Sequence, residues 1–283
     1  MIIVTGATGE LGRAIVQSLS KILPVDQIGV SVRDVNKAQD LKALGIRVRH
    51  GDFNEPLSLS KAFEGATQVL IVSSNAAASG GVPLKQHQAA IEGAKNAGVK
   101  RIVYTSHMAA SGSSAFPPAR DHHATEKMLS ESGLLWTALR HGFYAKNAFL
   151  MMGDAHKTGI ISVPKDGKVS WTTHADLAEA DARILASEGL FNGPTPPLTS
   201  AEALDFSDIA RVMSQVENRT IRRELISDAE LREKLLNRGA PKTVVDIALG
   251  FYAASQTGEF EAVDPTLEKL LGRPPDSIRN LIS

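Results

Sequence analysis

Two stretches of this chain pair residue types with a spacing that does chemistry. The first is residues 2–12, Ile-Ile-Val-Thr-Gly-Ala-Thr-Gly-Glu-Leu-Gly, where Gly6, Gly9 and Gly12 follow a short apolar run of strand character. Gly6 permits a tight strand-to-helix turn, Gly9 lets a pyrophosphate approach the backbone, and Gly12 lets the next helix pack closely on the strand. Ala7, Thr8, Glu10 and Leu11 complete the turn, and the helix start offers free N–H groups and a partial positive charge. The spacing is GxxGxxG rather than GxGxxG, and such a triad can also be only a turn. Its place after a strand favours phosphate binding. About twenty residues on, Ile28 to Val32 reads as a second strand, and Arg33 follows it. An acidic residue there would accept from a ribose 2′-OH, whereas arginine's planar fork matches a 2′-phosphate. NADP(H) is therefore favoured over NAD, with Asp34 leaving some use of both open.

The second stretch carries His122, His123 and Glu126, with His122 and Glu126 spaced to share one helix face. His122 is either a structural residue or a proton donor or substrate contact, since imidazole ordinarily titrates near neutrality. No third ligand at a matching spacing supports a metal site, so none is expected. Tyr144 is a further polar candidate, and Phe143, Phe149, Met151 and Met152 around it suit either a flat aromatic substrate or ordinary core packing.

These residues need a scaffold, and the first 140 residues supply one by alternating strand-like and helix-like segments. Strands are expected at 2–4, 28–32, 46–49, 69–72, 101–105 and 134–139, and helices at 13–19, 36–44, 58–63, from 82 to near Gly98, and 122–132. The expected fold class is α/β, a doubly wound Rossmann-type parallel sheet whose ligands lie beyond the carboxyl ends of the strands. Residues 1–150 would form the NADP(H)-binding domain. Residues 151–283 would be a mixed segment with returning elements and a smaller, mainly helical C-terminal substrate lobe. In it, strands at 160–163 and 169–171 flank a turn at Asp166-Gly167, and a helix spans 176–187. Gly193 to Pro197 marks a crossing between lobes, and helices lie near 206–215, 228–237, 242–254 and 265–271.

The chain has 283 residues, 43% of them apolar, enough for one such domain plus a lobe. Thirty-one basic residues balance thirty-one acidic ones, so no net field attracts nucleic acid or an anionic membrane. No apolar run reaches membrane-span length, and the start lacks a basic n-region, so neither a membrane nor a secretory signal is expected. The absence of cysteine excludes disulfides and thiolate metal sites and agrees with a cytoplasmic location. The oligomeric state stays open, with a homodimer among the readings.

Thr5 to Gly12, Arg33, Gly51-Asp52-Phe53, Ala97-Gly98-Val99-Lys100, Tyr104-Thr105-Ser106, Ala124-Thr125-Glu126 and Leu139-Arg140 occur in that order over the chain. In this it resembles the NmrA-like atypical short-chain dehydrogenase/reductases. The resemblance implies further cofactor contacts from Ser73, Ser74 and Asn75 beside the adenine or ribose. It also implies contacts from Thr137, Leu139, Arg140, His141 and Gly142 flanking the nicotinamide, and from Lys168 reaching the cofactor or closing over it. Ser106 falls where the family places an active-site serine, and it, Thr105 or His107 can hydrogen-bond a carbonyl or water. Conventional short-chain dehydrogenases use a Tyr-x-x-x-Lys pair on the helix after the fifth strand, but His123-Ala124-Thr125-Glu126-Lys127 has no tyrosine there, and the resembled group lacks the pair too. The expected activity is NADPH-dependent transfer of hydride to a small aromatic or carbonyl substrate: a quinone, a triphenylmethane-type dye or an activated carbonyl. A simple ketone would need a donor such as His107, His122, His123 or Tyr144. The competing class is a non-catalytic NADP(H) redox sensor.

Overall fold

A computed structural model describes residues 1–282. The first half alternates strand and helix: β1 Ile2–Thr5, α1 Glu10–Leu19, β2 Ile28–Val32, α2 Gln39–Ala43, β3 Arg47–His50, α3 Pro56–Phe63, β4 Gln68–Ile71, α4 Pro83–Asn96, β5 Arg101–His107, α5 Pro117–Glu131 and β6 Leu135–His141. The second half contains β7 Phe143–Tyr144, α6 Ala145–Met152, α7 Ala155–Thr158, β8 Ile160–Val163, β9 Trp171–Thr172, α8 His174–Ala186, β10 Gly193–Pro194, α9 Phe206–Val216, β11 Arg222–Leu225, α10 Asp228–Asn237, α11 Lys242–Gln256, α12 Thr266–Leu271 and α13 Ile278–Ile282.

Seven strands form one parallel sheet in the order β10-β6-β5-β4-β1-β2-β3. Chain order reverses between β1 and β4, so the crevice of this doubly wound sheet opens where those two strands end. All four residues of β1 are buried because it is covered on both faces. Ile2 and Val4 face a core with α1 and α8, while Ile3 faces another with α3, α4 and α5. Two side chains brace the crevice: the Thr5 hydroxyl accepts from the Val72 N–H at 2.9 Å, and Thr105 accepts from Ser73 at 2.8 Å.

The C-terminal lobe has its own core around Trp171, Phe206, Phe251 and Phe260. The strands flanking the turn at Asp166-Gly167 find partners elsewhere: β8 pairs with β11, and β9 with β7. Asp166 accepts the Phe206 N–H at 3.0 Å, and the Gly167 N–H meets the Ser255 hydroxyl at 3.3 Å, so the turn is drawn onto α9 and α11. Gly193-Pro194 is not only a crossing, because it joins the main sheet as its seventh strand beside Thr137 and Ala138. Likewise, α8 returns to pack on α1. Among the described residues, no helix is long and apolar enough to cross a membrane.

Candidate active site

The glycine turn has the form a dinucleotide requires. Gly6 has φ of +63°, and a Cβ on Gly12 would lie 2.5 Å from the Gly6 carbonyl oxygen, so α1 can approach β1 only through glycine. Gly9 is exposed at the N-cap of α1, with no side chain capping the first N–H groups, while Thr8 and Glu10 are exposed and Ala7 and Leu11 buried. These uncapped backbone donors fit a pyrophosphate. Arg33 is exposed and makes no ion pair. Asp34 does not restrain it, because that carboxylate accepts from the Asn36 N–H at 3.0 Å. A free guanidinium beside a committed carboxylate fits a 2′-phosphate better than a bare 2′-OH.

Beside the crevice lies a cavity of about 290 Å³, walled by the Ser73–Asn75 loop, the end of β5, the start of α5, Gly142 to Tyr144, Asn147 and Ile247 of α11. Among the predicted residues, it brings together Ser73, Ser74, Asn75, Ser106, His107, His122, Gly142 and Tyr144. It also brings in His87 and Asp121, which sequence reading passed over, and Tyr104, quoted only as part of a motif and given no role at the site.

Hydrogen bonding fixes the protons. The Ala109 N–H donates to His107 Nδ1 at 3.1 Å, leaving the ring proton on Nε2, which is buried without a partner. Burial first, and then the proximity of His141, lowers the His107 pKa to about 3, so the ring is neutral. His122 is also held neutral, well below its usual pKa, by burial first and then by neighbouring histidines. Burial raises the Tyr104 pKa, so the phenol keeps its proton, and it lies 2.8 Å from His122 Nδ1. Ser74 donates its N–H to His87 Nε2 at 2.9 Å, and His87 Nδ1 lies 2.8 Å from Thr125; burial lowers the His87 pKa to about 4. The expectation of a histidine titrating near neutrality is thus corrected: these imidazoles are neutral N–H donors.

Other predicted residues have structural partners. The Ser106 hydroxyl donates to Glu126 at 2.7 Å, and Arg140 grips the same carboxylate with two bonds, at 3.0 and 2.7 Å. Glu126 therefore does not share a task with His122, though both sit on α5. The His141 imidazole is buried, 3.0 Å from Asp181 of α8. Thr137 lies four residues, roughly 13 Å, short of the carboxyl end of β6; its hydroxyl donates to the Phe191 carbonyl. Leu139 is fully buried. Neither offers a side chain at the crevice. Lys168 stands on the C-terminal lobe, 3.4 Å from Asp208. The Tyr144 ring lies 4.3 Å from that of His174, and burial raises its pKa. Phe143 lines the cavity and also packs among Phe116, Phe251 and Phe260, whereas Phe149, Met151 and Met152 serve the lobe core. No cluster of potential metal ligands occurs among the described residues.

Known proteins match this chain over its full length. Quinone oxidoreductase 2 of Escherichia coli (strain K12) is 35% identical across all of this chain and 98% of its own. The NAD(P)H azoreductase of Xenophilus azovorans is 30% identical over 97% of this chain and 94% of its own. The crystal structure of the E. coli NADPH-dependent quinone oxidoreductase complexed with NADPH superimposes with a TM-score of 0.92 at 34% identity, covering 100% of this chain and 98% of that one. Citrobacter sp. triphenylmethane reductase complexed with NADP(H) gives 0.89 at 33%, covering 100% and 99%. The profile of the NmrA-like family matches residues 1–272. A glycine turn after β1 with a free arginine after β2, a helix after β5 without a Tyr-x-x-x-Lys pair, and this full-length match place the chain in the NmrA-like family.

Proposed function

We infer that this protein is an NADPH-dependent oxidoreductase whose acceptor, a quinone or similarly activated carbonyl compound, occupies the cavity beside the switch point. The observation that carries this reading is His107: a neutral, buried, unpartnered Nε2–H in the wall of an apolar cavity adjoining a dinucleotide crevice. Residues 1–150 act as the cofactor domain and 151–283 as the returning elements and substrate lobe. The glycine turn and the start of α1 hold the pyrophosphate, Arg33 the 2′-phosphate, and the Ser73–Asn75 loop borders the ribose. When bound, NADPH supplies two electrons and one hydrogen as hydride, leaving NADP⁺, so a quinone needs one further proton to become hydroquinone.

Phe143, Phe116 and Ile247 exclude water and orient a flat ring. His107 Nε2–H, with His122 beside it, donates a hydrogen bond to the carbonyl oxygen as negative charge develops there. Neither is an imidazolium, so each stabilises the oxyanion as a dipole, and the proton itself comes from solvent. An activated acceptor, whose product anion is stabilised by its own ring, tolerates such a donor better than a simple ketone does. The reading further places the protein in the cytoplasm, acting on a small molecule with neither nucleic acid nor membrane as partner. A homodimer is the assembly to be tested by light scattering.

The test is NADPH oxidation by the purified protein with benzoquinones, naphthoquinones, triphenylmethane dyes and simple ketones, alongside cofactor titration. Quinones should be reduced and simple ketones should not. Tight NADPH binding with no acceptor reduced would replace this reading with a binding-only role.

A further inference from the structure

The acceptor cavity is uneven in charge. Its histidines are neutral, and neither lysine nor arginine contributes to its wall, so Asp121 is its only charged residue. Asp121 stands on α5 directly before His122, half-buried, and its carboxylate makes no hydrogen bond or ion pair. The neighbouring Arg120 reaches the Ser114 carbonyl at 2.7 Å and bears on Asp121 only as a nearby charge. The Asp121 charge is felt within the wall, where, after burial and alongside Glu126, it helps keep the Tyr104 phenol protonated. An unpaired carboxylate in poorly hydrated surroundings repels anions and attracts cations much more than one in water would. At about 290 Å³ the cavity is also at the small end of ligand sites, which run from roughly 300 to 1,000 Å³.

We propose that Asp121 is the specificity-determining residue of the acceptor cavity, selecting compact one- or two-ring acceptors that are cationic or neutral and turning away carboxylated or sulfonated ones. This rests on the reading of the cavity as the acceptor site. Asp121 needs no contact with the reacting carbonyl. It acts by its charge on the substituents an acceptor carries.

A matched set separates the two claims: one naphthoquinone bearing a trimethylammonium group, no charged group, or a sulfonate. Each is titrated into the NADP⁺-loaded protein for Kd and assayed with NADPH for kcat/KM. In the parent protein, the cation should bind at least tenfold more tightly than the anion, with the neutral compound between. Asp121→Asn should narrow that ratio at least fivefold, mainly through Kd and KM, while Asp121→Glu, which keeps the charge, should preserve it. An unchanged cation-to-anion ratio in Asp121→Asn overturns the proposal, as does an anion that binds the parent as well as the cation. Charge-ordered binding that Asp121→Asn abolishes, without turnover of any compound, upholds Asp121 and sinks the reductase reading. Turnover with no charge order does the reverse.

Discussion

At the residue scale, protonation state decides the mechanism. A histidine with its ordinary pKa of 6.5 could hand over a proton, but His107, held near 3 by burial, has only its Nε2–H dipole to offer. His107→Phe keeps a ring in the wall and removes that donor. Losing a hydrogen bond to a developing oxyanion, worth about 1.5–3 kcal/mol, should lower kcat about 10- to 100-fold and leave the NADPH Kd near the parent value. Equal losses in both would make His107 a packing residue. Arg33→Ala should weaken NADPH about 10- to 100-fold and NADH little, as measured by fluorescence titration of each cofactor. At Tyr144, the ring matters more than the hydroxyl, which has no hydrogen-bond partner in the protein. Tyr144→Phe should keep most kcat/KM, whereas Tyr144→Ala should lose it by raising KM.

At the scale of elements, the turn between β1 and α1 divides its labour among its glycines. Gly12 is buried against the Gly6 carbonyl, while Gly9 is exposed, and a Cβ there would come no closer than 3.3 Å to that same oxygen. Gly12→Val should therefore push α1 off the sheet and cost about 1–3 kcal/mol of stability, read in a urea melt. Gly9→Val should leave the melt close to the parent and abolish cofactor binding by crowding the pyrophosphate. A normal titration by that variant would make Gly9 a turn residue only. A second joint ties three elements: Glu126 of α5 binds Ser106 of β5 and Arg140 of β6. Glu126→Ala leaves the half-buried Arg140 guanidinium and the Ser106 hydroxyl without their carboxylate and should destabilise the protein by about 1–3 kcal/mol. This brace holds β5 and α5, which carry His107 and His122, in register.

For the whole molecule, the buried histidines link stability to pH. His87 is neutral in the fold down to about pH 4, but its unfolded pKa is near 6.5, so between those values the unfolded chain binds the extra proton. Stability is then full above pH 6.5 and falls on acidification, at up to about 1.4 kcal/mol per pH unit for each such histidine. His107, with its pKa near 3, adds to the same slope. Carboxylates with lowered pKa, Glu179 and Asp208 among them, act at lower pH, below their ordinary 4.5 and 3.8. His50 is raised by its bond to Glu55 and works in the opposite sense, but it is exposed. Tm should thus decline between pH 6.5 and 4.5, and His87→Gln should flatten that decline. A flat Tm through this window in the parent would show that these rings are not held neutral.

The sequence alone determined what is local. Short runs ended by turn residues marked the six main strands to within a few residues; the inner strands β1, β2 and β4 stood out because a doubly covered parallel strand is buried along its whole length. Gly6 and Gly12 declared their backbone roles because a positive φ and a close helix approach are properties of single residue types. The match of Leu139-Arg140 and its neighbours to a family was legible as well, but the direction of each side chain was not. Alternation along β6 sends Arg140 to Glu126 and His141 to Asp181, on opposite sides of one strand, and only the pleat in its packed register decides which side is which. β10 escaped notice because two residues carry no periodicity, and β8 turned to β11 because its partner lies some sixty residues away. The neutrality of His87, His107 and His122 belongs entirely to the tertiary structure. A histidine reads the same in any sequence, and its pKa moves only when α4, α5, β5 and the C-terminal lobe close around it and take its water away.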